Sequence, residues 1–288
     1  MTPKIAFIDI DGTLLNSRGE VPPSATRAIR SARARGHQVV LATGRSPLEI
    51  DEQVTAIGFD GAITAAGAYV EYGGVRIDTT EFAAADAQRI ARCLDDLGID
   101  RSLQGRGGIY PNRGHRERML RVLTERNMLH WLEVSASARM HVTDAGESTF
   151  DGVASVVFSS DEPHAYFRVQ QALGDQFAVV PGTLPGLGTG GGEIAPPGVN
   201  KGRAVMDLIA HLGIAAADAI ALGDSDNDVE MLSVVGVGIA MGNSSAAARA
   251  AADEVTGTVD NDGLAQAFAR HGLANLSDHT SSLPTASY

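Results

Sequence analysis

Along the chain, apolar runs of strand length alternate with stretches whose apolar residues recur every three or four positions. Residues 4–8 read as a first strand, 24–35 as a helix, and 38–42 as a second strand entered through Gly36. Residues 47–57 read as a helix, 61–64 as a short strand, and 69–72 with 75–78 as a hairpin turning at Gly73-Gly74. Late in the chain, 201–212 reads as a helix, 219–222 as a strand, 226–232 as a helix and 236–240 as a strand. An Ala-rich helix at 244–252 and a last helix at 264–270 follow. Strands this continuously apolar, separated by helices, predict a doubly wound α/β core: a parallel sheet covered on both faces.

The middle of the chain has a different rhythm. Helices at 86–97 and 115–126 precede a strand at 153–159, a helix at 162–173 and a strand at 177–180. The expected organisation is a core built from residues 1–82 and 193–273, with an inserted α/β cap domain over 83–192. Residues 274–288 are rich in Ser and Thr without a periodic pattern and read as a disordered tail.

Composition narrows the partners. The chain has 288 residues, 44% of them hydrophobic, and no apolar run approaches the roughly 18 residues a membrane span needs. A formal charge of −12 argues against nucleic acid, whose phosphates are held by concentrated Lys and Arg. The single cysteine, Cys93, cannot form an internal disulfide and reads as a structural thiol in a reducing compartment. Asp9 and Asp11 would interrupt the apolar region of an export signal, so the expected location is cytoplasmic.

Those two aspartates pose the chemical question. In Phe7-Ile8-Asp9-Ile10-Asp11-Gly12-Thr13-Leu14-Leu15 they break an apolar run, and a buried carboxylate costs several kcal/mol unless it is paired, hydrogen-bonded or metal-bound. The second strand ends at Thr43-Gly44 and a later one at Gly223-Asp224. Ligands of open parallel sheets bind beyond the carboxyl ends of the strands, so Asp9, Asp11, Thr43, Asp224, Asn227 and Asp228 converge on one edge. Lys201 joins them after the turn Pro196-Pro197-Gly198-Val199-Asn200, with Asn200 as its helix N-cap. Hard oxygen ligands without clustered His or Cys indicate Mg²⁺. A phosphate fits beside it, held by Thr43, Asn227, Lys201 and loop N–H groups. A carboxylate on the first strand would attack phosphorus to give an aspartyl-phosphate, with Asp11 as general acid and then general base.

The motifs Asp9-Ile10-Asp11-Gly12-Thr13, Thr43-Gly44-Arg45, Asn200-Lys201-Gly202 and Gly223-Asp224-Ser225-Asp226-Asn227-Asp228, in this order, resemble the haloacid dehalogenase superfamily. With the insertion between the second and third motifs, the chain is similar to the Cof-type branch of Mg²⁺-dependent sugar-phosphate phosphatases, over residues 4–270. The resemblance implies Asp9 as nucleophile and Asp11 as acid/base. It implies Mg²⁺ held by the Asp9 carboxylate, the Asp11 backbone carbonyl and the Asp224 carboxylate. Thr43, Gly44, Lys201 and Asn227 would bind phosphate, while Asp228 would support the metal's surroundings and orient Lys201. Glu193-Ile194 also fits the family pattern, whereas the glycine run at 187–192 is richer than expected and reads as a long linker back to the core. The implied activity is hydrolysis of a small phosphorylated metabolite, a sugar phosphate. A phosphomutase and a non-catalytic phospho-ligand sensor are the alternatives.

Other motif readings fail. Val229 and Val235 stand where a calcium-binding loop beginning at Asp224 needs Gly and Glu. The Gly186–Gly191 spacing matches a dinucleotide fingerprint but leads into Glu193-Ile194-Ala195-Pro196-Pro197 instead of a helix. No phosphate-binding Walker sequence precedes Lys201, and no nucleophile elbow surrounds Ser225. Within the insert, Arg113, His115, Arg116 and Arg118 read as a solvated helical face. His141 and His164 read as surface positions, and Trp131 and Tyr110 as core packing.

Overall fold

A computed structural model describes residues 4–125, 150–182 and 190–275. The readings made for Trp131, for His141, for positions 183–189 of the glycine-rich run and for residues 276–288 lie outside the described residues. The chain opens with β1 (Ile5–Ile8), α1 (Pro23–Ala34), β2 (Gln38–Ala42), the short α2 (Glu52–Thr55), β3 (Gly61–Thr64) and the hairpin β4 (Tyr69–Tyr72) and β5 (Val75–Thr79). It continues through α3 (Ala84–Asp96), β6 (Asp100–Gly105), β7 (Gly108–Pro111), α4 (Arg113–Glu125), β8 (Val153–Ser159), α5 (Ala165–Leu173), β9 (Ala178–Pro181) and β10 (Gly192–Ala195). The return comprises α6 (Lys201–Leu212), β11 (Ala219–Gly223), α7 (Val229–Val234), β12 (Val237–Ala240), α8 (Ala246–Ala251), β13 (Glu254–Val255) and α9 (Gly263–Arg270).

Eight strands form one sheet in the order β13-β12-β11-β1-β2-β3-β4-β5, and five form another in the order β7-β6-β8-β10-β9. The first is parallel from β13 to β3 and antiparallel through the β4–β5 hairpin, whose Gly73 and Gly74 both take positive φ. β1 shows why its residues are uniformly apolar. Ala6 and Ile8 enter a cluster with Ile29 of α1 and Phe268 of α9, while Ile5 and Phe7 enter another with Val205 of α6 and Met231 of α7. Both faces are therefore covered, as in a doubly wound fold.

The chain moves outward from β1 through β2 and β3, then returns to lay β11, β12 and β13 on the other side of β1. The strand order reverses between β1 and β11, and a crevice opens at such a switch point beyond the carboxyl ends.

The second sheet is antiparallel. Leu103, Val156, Phe158 and Ile194 pack with Ile90 of α3 and Val169 of α5 in one apolar cluster. Alternation along the strands turns Ser102, Gln104, Ser155 and Glu193 to the opposite face. Tyr69 ties the two sheets together: its hydroxyl lies 3.3 Å from both Glu81 Oε1 and the Gly152 carbonyl, and Arg106 meets the same Glu81 oxygen at 2.8 Å. Among the described residues, no helix is long and apolar enough to cross a membrane.

Several expectations change. β10 pairs with β8 and β9, so Glu193-Ile194 lies in the antiparallel sheet and the return to the first sheet comes after Ala195. The glycine-rich run consequently joins two neighbouring antiparallel strands instead of serving as the linker back. The helix expected over 47–57 is a 3-10 turn at Pro47–Glu49 followed by α2, because Ile50 and Asp51 take extended backbone between them, with the Glu49 carbonyl met by Arg45 Nη1 at 3.0 Å. Ala274 is buried and packs beneath α9 as part of the core, so order extends past the expected start of the tail. Cys93 is half-buried at the edge of the second sheet's core.

The basic stretch of α4 is only partly solvated: Arg113 and Arg116 are exposed, but His115 is buried against Ser159 Oγ at 3.0 Å. The Arg118 side chain is 12% exposed and pairs with Asp100 and Asp161. Long-range partners on β6, on β8 and in the loop after β8 decided this, since helical spacing alone describes a face without saying what faces it.

Candidate active site

β1 delivers Asp9 one residue beyond its end, into the crevice at the switch point, where the residue is 4% exposed. Opposite stands Lys201 at the first turn of α6. Asn200 caps that helix by accepting the Arg203 N–H at 2.8 Å, which aims the lysine back into the sheet edge. A fully buried ammonium at a helix N-terminus opposes both desolvation and the helix dipole, so it needs strong acceptors. It has three: Asp9 Oδ1 at 2.6 Å, Asp228 Oδ1 at 2.7 Å and Asn227 Oδ1 at 3.2 Å. Burial alone would lower the Lys201 pKa, but Asp228 and Asp9 hold it well above its ordinary value.

Asp228 is fully buried and both its oxygens are engaged. Oδ1 takes the lysine, and Oδ2 accepts the backbone N–H groups of Asp224 at 2.9 Å and Ser225 at 3.0 Å. It therefore shapes the loop after β11 and holds Lys201 in place. Asp224 projects from that loop toward Gly12, accepting Thr13 Oγ1 at 3.3 Å and Asn243 Nδ2 at 3.4 Å. Gly12 has φ 82°, and a Cβ there would stand 2.2 Å from Asp224 Oδ2, so only glycine lets the first loop pass this carboxylate.

Carboxylate oxygens of Asp9, Asp224 and Asp228 all lie within 4.8 Å of one another. Burial and neighbouring charge raise two of them, Asp9 and Asp224. Burial pushes the Asp9 carboxyl well up, Lys201 pulls it back, and Asp228, Asp224 and Asp11 push it up again. Burial and the charge of Asp228 push Asp224 up to about 7, against the Thr13 hydroxyl, which lowers it. Asp228 is taken up by Lys201 and the loop N–H groups, but Asp9 and Asp224 are hard oxygen donors that fit a divalent cation such as Mg²⁺, which would supply the missing positive charge.

The remaining expected residues sit around this cluster. Thr43, beyond β2, is buried and its Oγ1 accepts the Arg45 N–H at 3.1 Å. Gly44 borders Asn227, whose Nδ2 would lie 3.4 Å from a Cβ at that position. Asp11 does not join the Lys201 group. Arg45 grips its carboxylate with two parallel bonds, Nε to Oδ2 at 2.8 Å and Nη2 to Oδ1 at 2.7 Å, and is itself anchored by Glu49 O and Asp51.

Arg45, Thr13 and Asn243 are site residues without a role in the sequence reading. Arg45 stood inside the quoted Thr43-Gly44-Arg45 motif, a signal that was available. Asn243 follows β12 with nothing around it to mark it, yet it spans Gly12 O at 2.8 Å, Asp224 and the Val259 N–H.

Residues 6–268 match the haloacid dehalogenase-like hydrolase family. The chain is 28% identical over 298 residues to the chloroplastic endoribonuclease YBEY of Arabidopsis thaliana, covering 94% of this chain but only 47% of that protein, about half its length. It is 26% identical over 276 residues to the putative phosphatase YkrA of Bacillus subtilis, covering 95% of this chain and 99% of the relative. Among solved structures, a phosphatase of the haloalkanoate enzyme superfamily from Bacteroides thetaiotaomicron is similar with a TM-score of 0.77 at 25% identity, covering 94% of this chain and 96% of that one. With the family match running from β1 to α9 and so taking in both halves of the crevice, the chain belongs to the haloacid dehalogenase-like hydrolase family.

Proposed function

We propose that this phosphatase of the haloacid dehalogenase family hydrolyses a small phosphorylated metabolite of the sugar-phosphate class through an aspartyl-phosphate on Asp9. The observation that carries the reading is the position of Asp9: at the end of β1, at the switch point, beside a buried lysine and within reach of two further carboxylates. Asp9 attacks phosphorus and the bond from phosphorus to the ester oxygen breaks. Asp11 gives its proton to the departing alcohol. Asp11 then takes a proton from water, the water oxygen attacks phosphorus, and the bond to Asp9 breaks to release inorganic phosphate. Asp11 must leave the Arg45 grip to reach either oxygen, so that ion pair defines a resting state.

Lys201, Asn227, Thr43 and Gly44 hold the phosphoryl oxygens, and Asp228 keeps Lys201 aimed. Asp9, Asp224 and the Asp11 carbonyl would hold Mg²⁺, which when bound neutralises charge on the phosphoryl group. The second sheet, tied to the first through Tyr69, Glu81 and Gly152, acts in this reading as the cap that excludes water.

Release of inorganic phosphate from p-nitrophenyl phosphate with Mg²⁺ tests the activity. Asp9→Asn abolishes turnover with the circular dichroism spectrum unchanged; persistent turnover would remove Asp9 as nucleophile. Asp11→Asn slows both formation and decay of the phosphoenzyme in rapid-quench measurements.

A further inference from the structure

Arg45 and Asp11 form a doubly bonded ion pair, and the chemistry above breaks it in every turnover. The two members have unlike surroundings. The Asp11 side chain is 44% exposed, whereas that of Arg45 is 6% exposed. Asp11 therefore has room to turn away, while the guanidinium stays in the interior. The Arg45 main chain is fixed on both sides: its N–H donates to Thr43 Oγ1 at 3.1 Å, and its carbonyl accepts the Ala65 N–H at 2.7 Å. A buried charge deprived of its counter-ion is costly, and that cost would fall on every proton transfer made by Asp11.

Asp51 stands against the same guanidinium. Its side chain is 4% exposed, and its Oδ2 lies 3.5 Å from Arg45 Nη1, beyond the roughly 2.7–2.9 Å of a charge-assisted hydrogen bond. Its Oδ1 has no hydrogen-bond partner among the described residues. Buried acceptors are almost always bonded, so half of this carboxylate stands idle at a cost. Helix capping does not explain it. Asp51 is the residue before α2, where a carboxylate usually accepts an N–H of the first turn, yet its side chain makes no such bond. Only its backbone carbonyl serves the helix, accepting the N–H groups of Val54 at 3.0 Å and Thr55 at 3.1 Å. The side chain is given to Arg45 instead.

Resting on the reading of Asp11 as acid and base, we propose that Asp51 is a positioning residue that receives the Arg45 guanidinium when Asp11 leaves it. The Glu49 carbonyl, 3.0 Å from Nη1, is the pivot. A small turn about that bond shortens the contact to Asp51 Oδ2 and brings an N–H to the idle Oδ1. Arg45 exchanges one carboxylate for another and keeps its charge compensated throughout. Asp11 is thereby released to meet the ester oxygen and then water. Two short bonds to Asp11 against one long contact to Asp51 make the Asp11 pair the state at rest.

Asp51→Asn keeps the shape of the side chain and removes its charge, so Arg45 holds Asp11 more firmly. Steps that need a free Asp11 then slow, and the others do not. In rapid-quench measurements, decay of the phosphoenzyme slows about tenfold or more for every ester, part of the roughly 10²–10⁴-fold that a positioned acid or base contributes. Its formation slows as much from glucose 6-phosphate, whose departing alkoxide needs a proton, but little from p-nitrophenyl phosphate, whose phenolate leaves without one. Inhibition by inorganic phosphate is unchanged. An anchor that merely fixed Arg45 gives the opposite sign, because its loss would loosen the hold on Asp11. Arg45→Gln removes the grip, and adding Asp51→Asn to it produces no further slowing.

Decay at the wild-type rate in Asp51→Asn, equal slowing of formation from both esters, or the same slowing on top of Arg45→Gln overturns the proposal. A crystal structure of the wild-type protein with Mg²⁺ and orthovanadate reads the exchange without any variant. Arg45 bonded to both Asp51 oxygens, with Asp11 turned to the vanadate, supports it; Arg45 still on Asp11, or turned anywhere but to Asp51, overturns it. A wild type that forms and hydrolyses a phosphoenzyme, matched by Asp51→Asn, leaves the phosphatase reading standing and removes only the exchange. Absence of a phosphoenzyme in the wild type removes both.

Discussion

Lys201 illustrates how far one side chain depends on distant parts of the chain. Its ammonium is fully buried and is tolerated because Asp9 arrives from β1 and Asp228 from the loop after β11. Lys201→Met would leave those two carboxylates facing each other without a donor, so it destabilises the fold by about 3 kcal/mol or more, read as the shift in the urea midpoint. Gly12 is constrained from the other side, by conformation and space. Gly12→Ala forces a side chain into left-handed backbone and against Asp224 Oδ2, costing about 1–3 kcal/mol of stability. Because the displaced group is a candidate metal ligand, the same variant weakens Mg²⁺ binding in calorimetry; unchanged affinity would remove Asp224 from the ligand set.

Helix α4 carries its own titration. His115 is buried against Ser159, and burial followed by the charge of Arg118 lowers its pKa to about 4 from an ordinary 6.5. A histidine depressed in the folded state contributes stability that is complete above the unfolded pKa and is lost as pH falls from about 6.5 to about 4. His115→Asn keeps a polar group near Ser159 but cannot titrate, so its melting temperature falls less than that of the wild type across this window. Equal slopes in the two proteins would contradict the assignment. The α4 charges looked like a solvated face because helical spacing shows which residues share a side, while Asp100, Ser159 and Asp161, which meet that side, come from elsewhere in the chain.

Across the whole molecule the raised acids give stability the opposite dependence on pH. Asp224 and Glu193 are each raised to about 7, so the folded protein binds more protons than the unfolded chain between about pH 4 and pH 7. Their contribution to stability therefore falls as pH rises through that interval. Mg²⁺ needs the ionised carboxylates, so its stabilising effect grows in the same direction. The rise in melting temperature on replacing EDTA with Mg²⁺ is accordingly larger above pH 7 than at pH 5; a pH-independent shift would contradict carboxylate binding.

Much of the eight-stranded sheet was legible along the chain because its order is local. Uniformly apolar runs announce strands buried on both faces, Gly73-Gly74 announces the hairpin, and polar residues directly after the strands must emerge at one edge. The same logic puts Asp9, Asp224, Asn227, Asp228 and Lys201 in one candidate site from the sequence alone. Pairing and partner choice were decided only in three dimensions. β10 joined the second sheet through β8 and β9, the stretch after Pro47 broke where Ile50 and Asp51 took extended backbone, Asp11 turned to Arg45, and Asn243 closed on Gly12 and Asp224. Periodicity and strand-end chemistry are written in neighbouring residues, whereas hydrogen bonds and ion pairs between residues tens to hundreds of positions apart depend on how the packed elements bring them together.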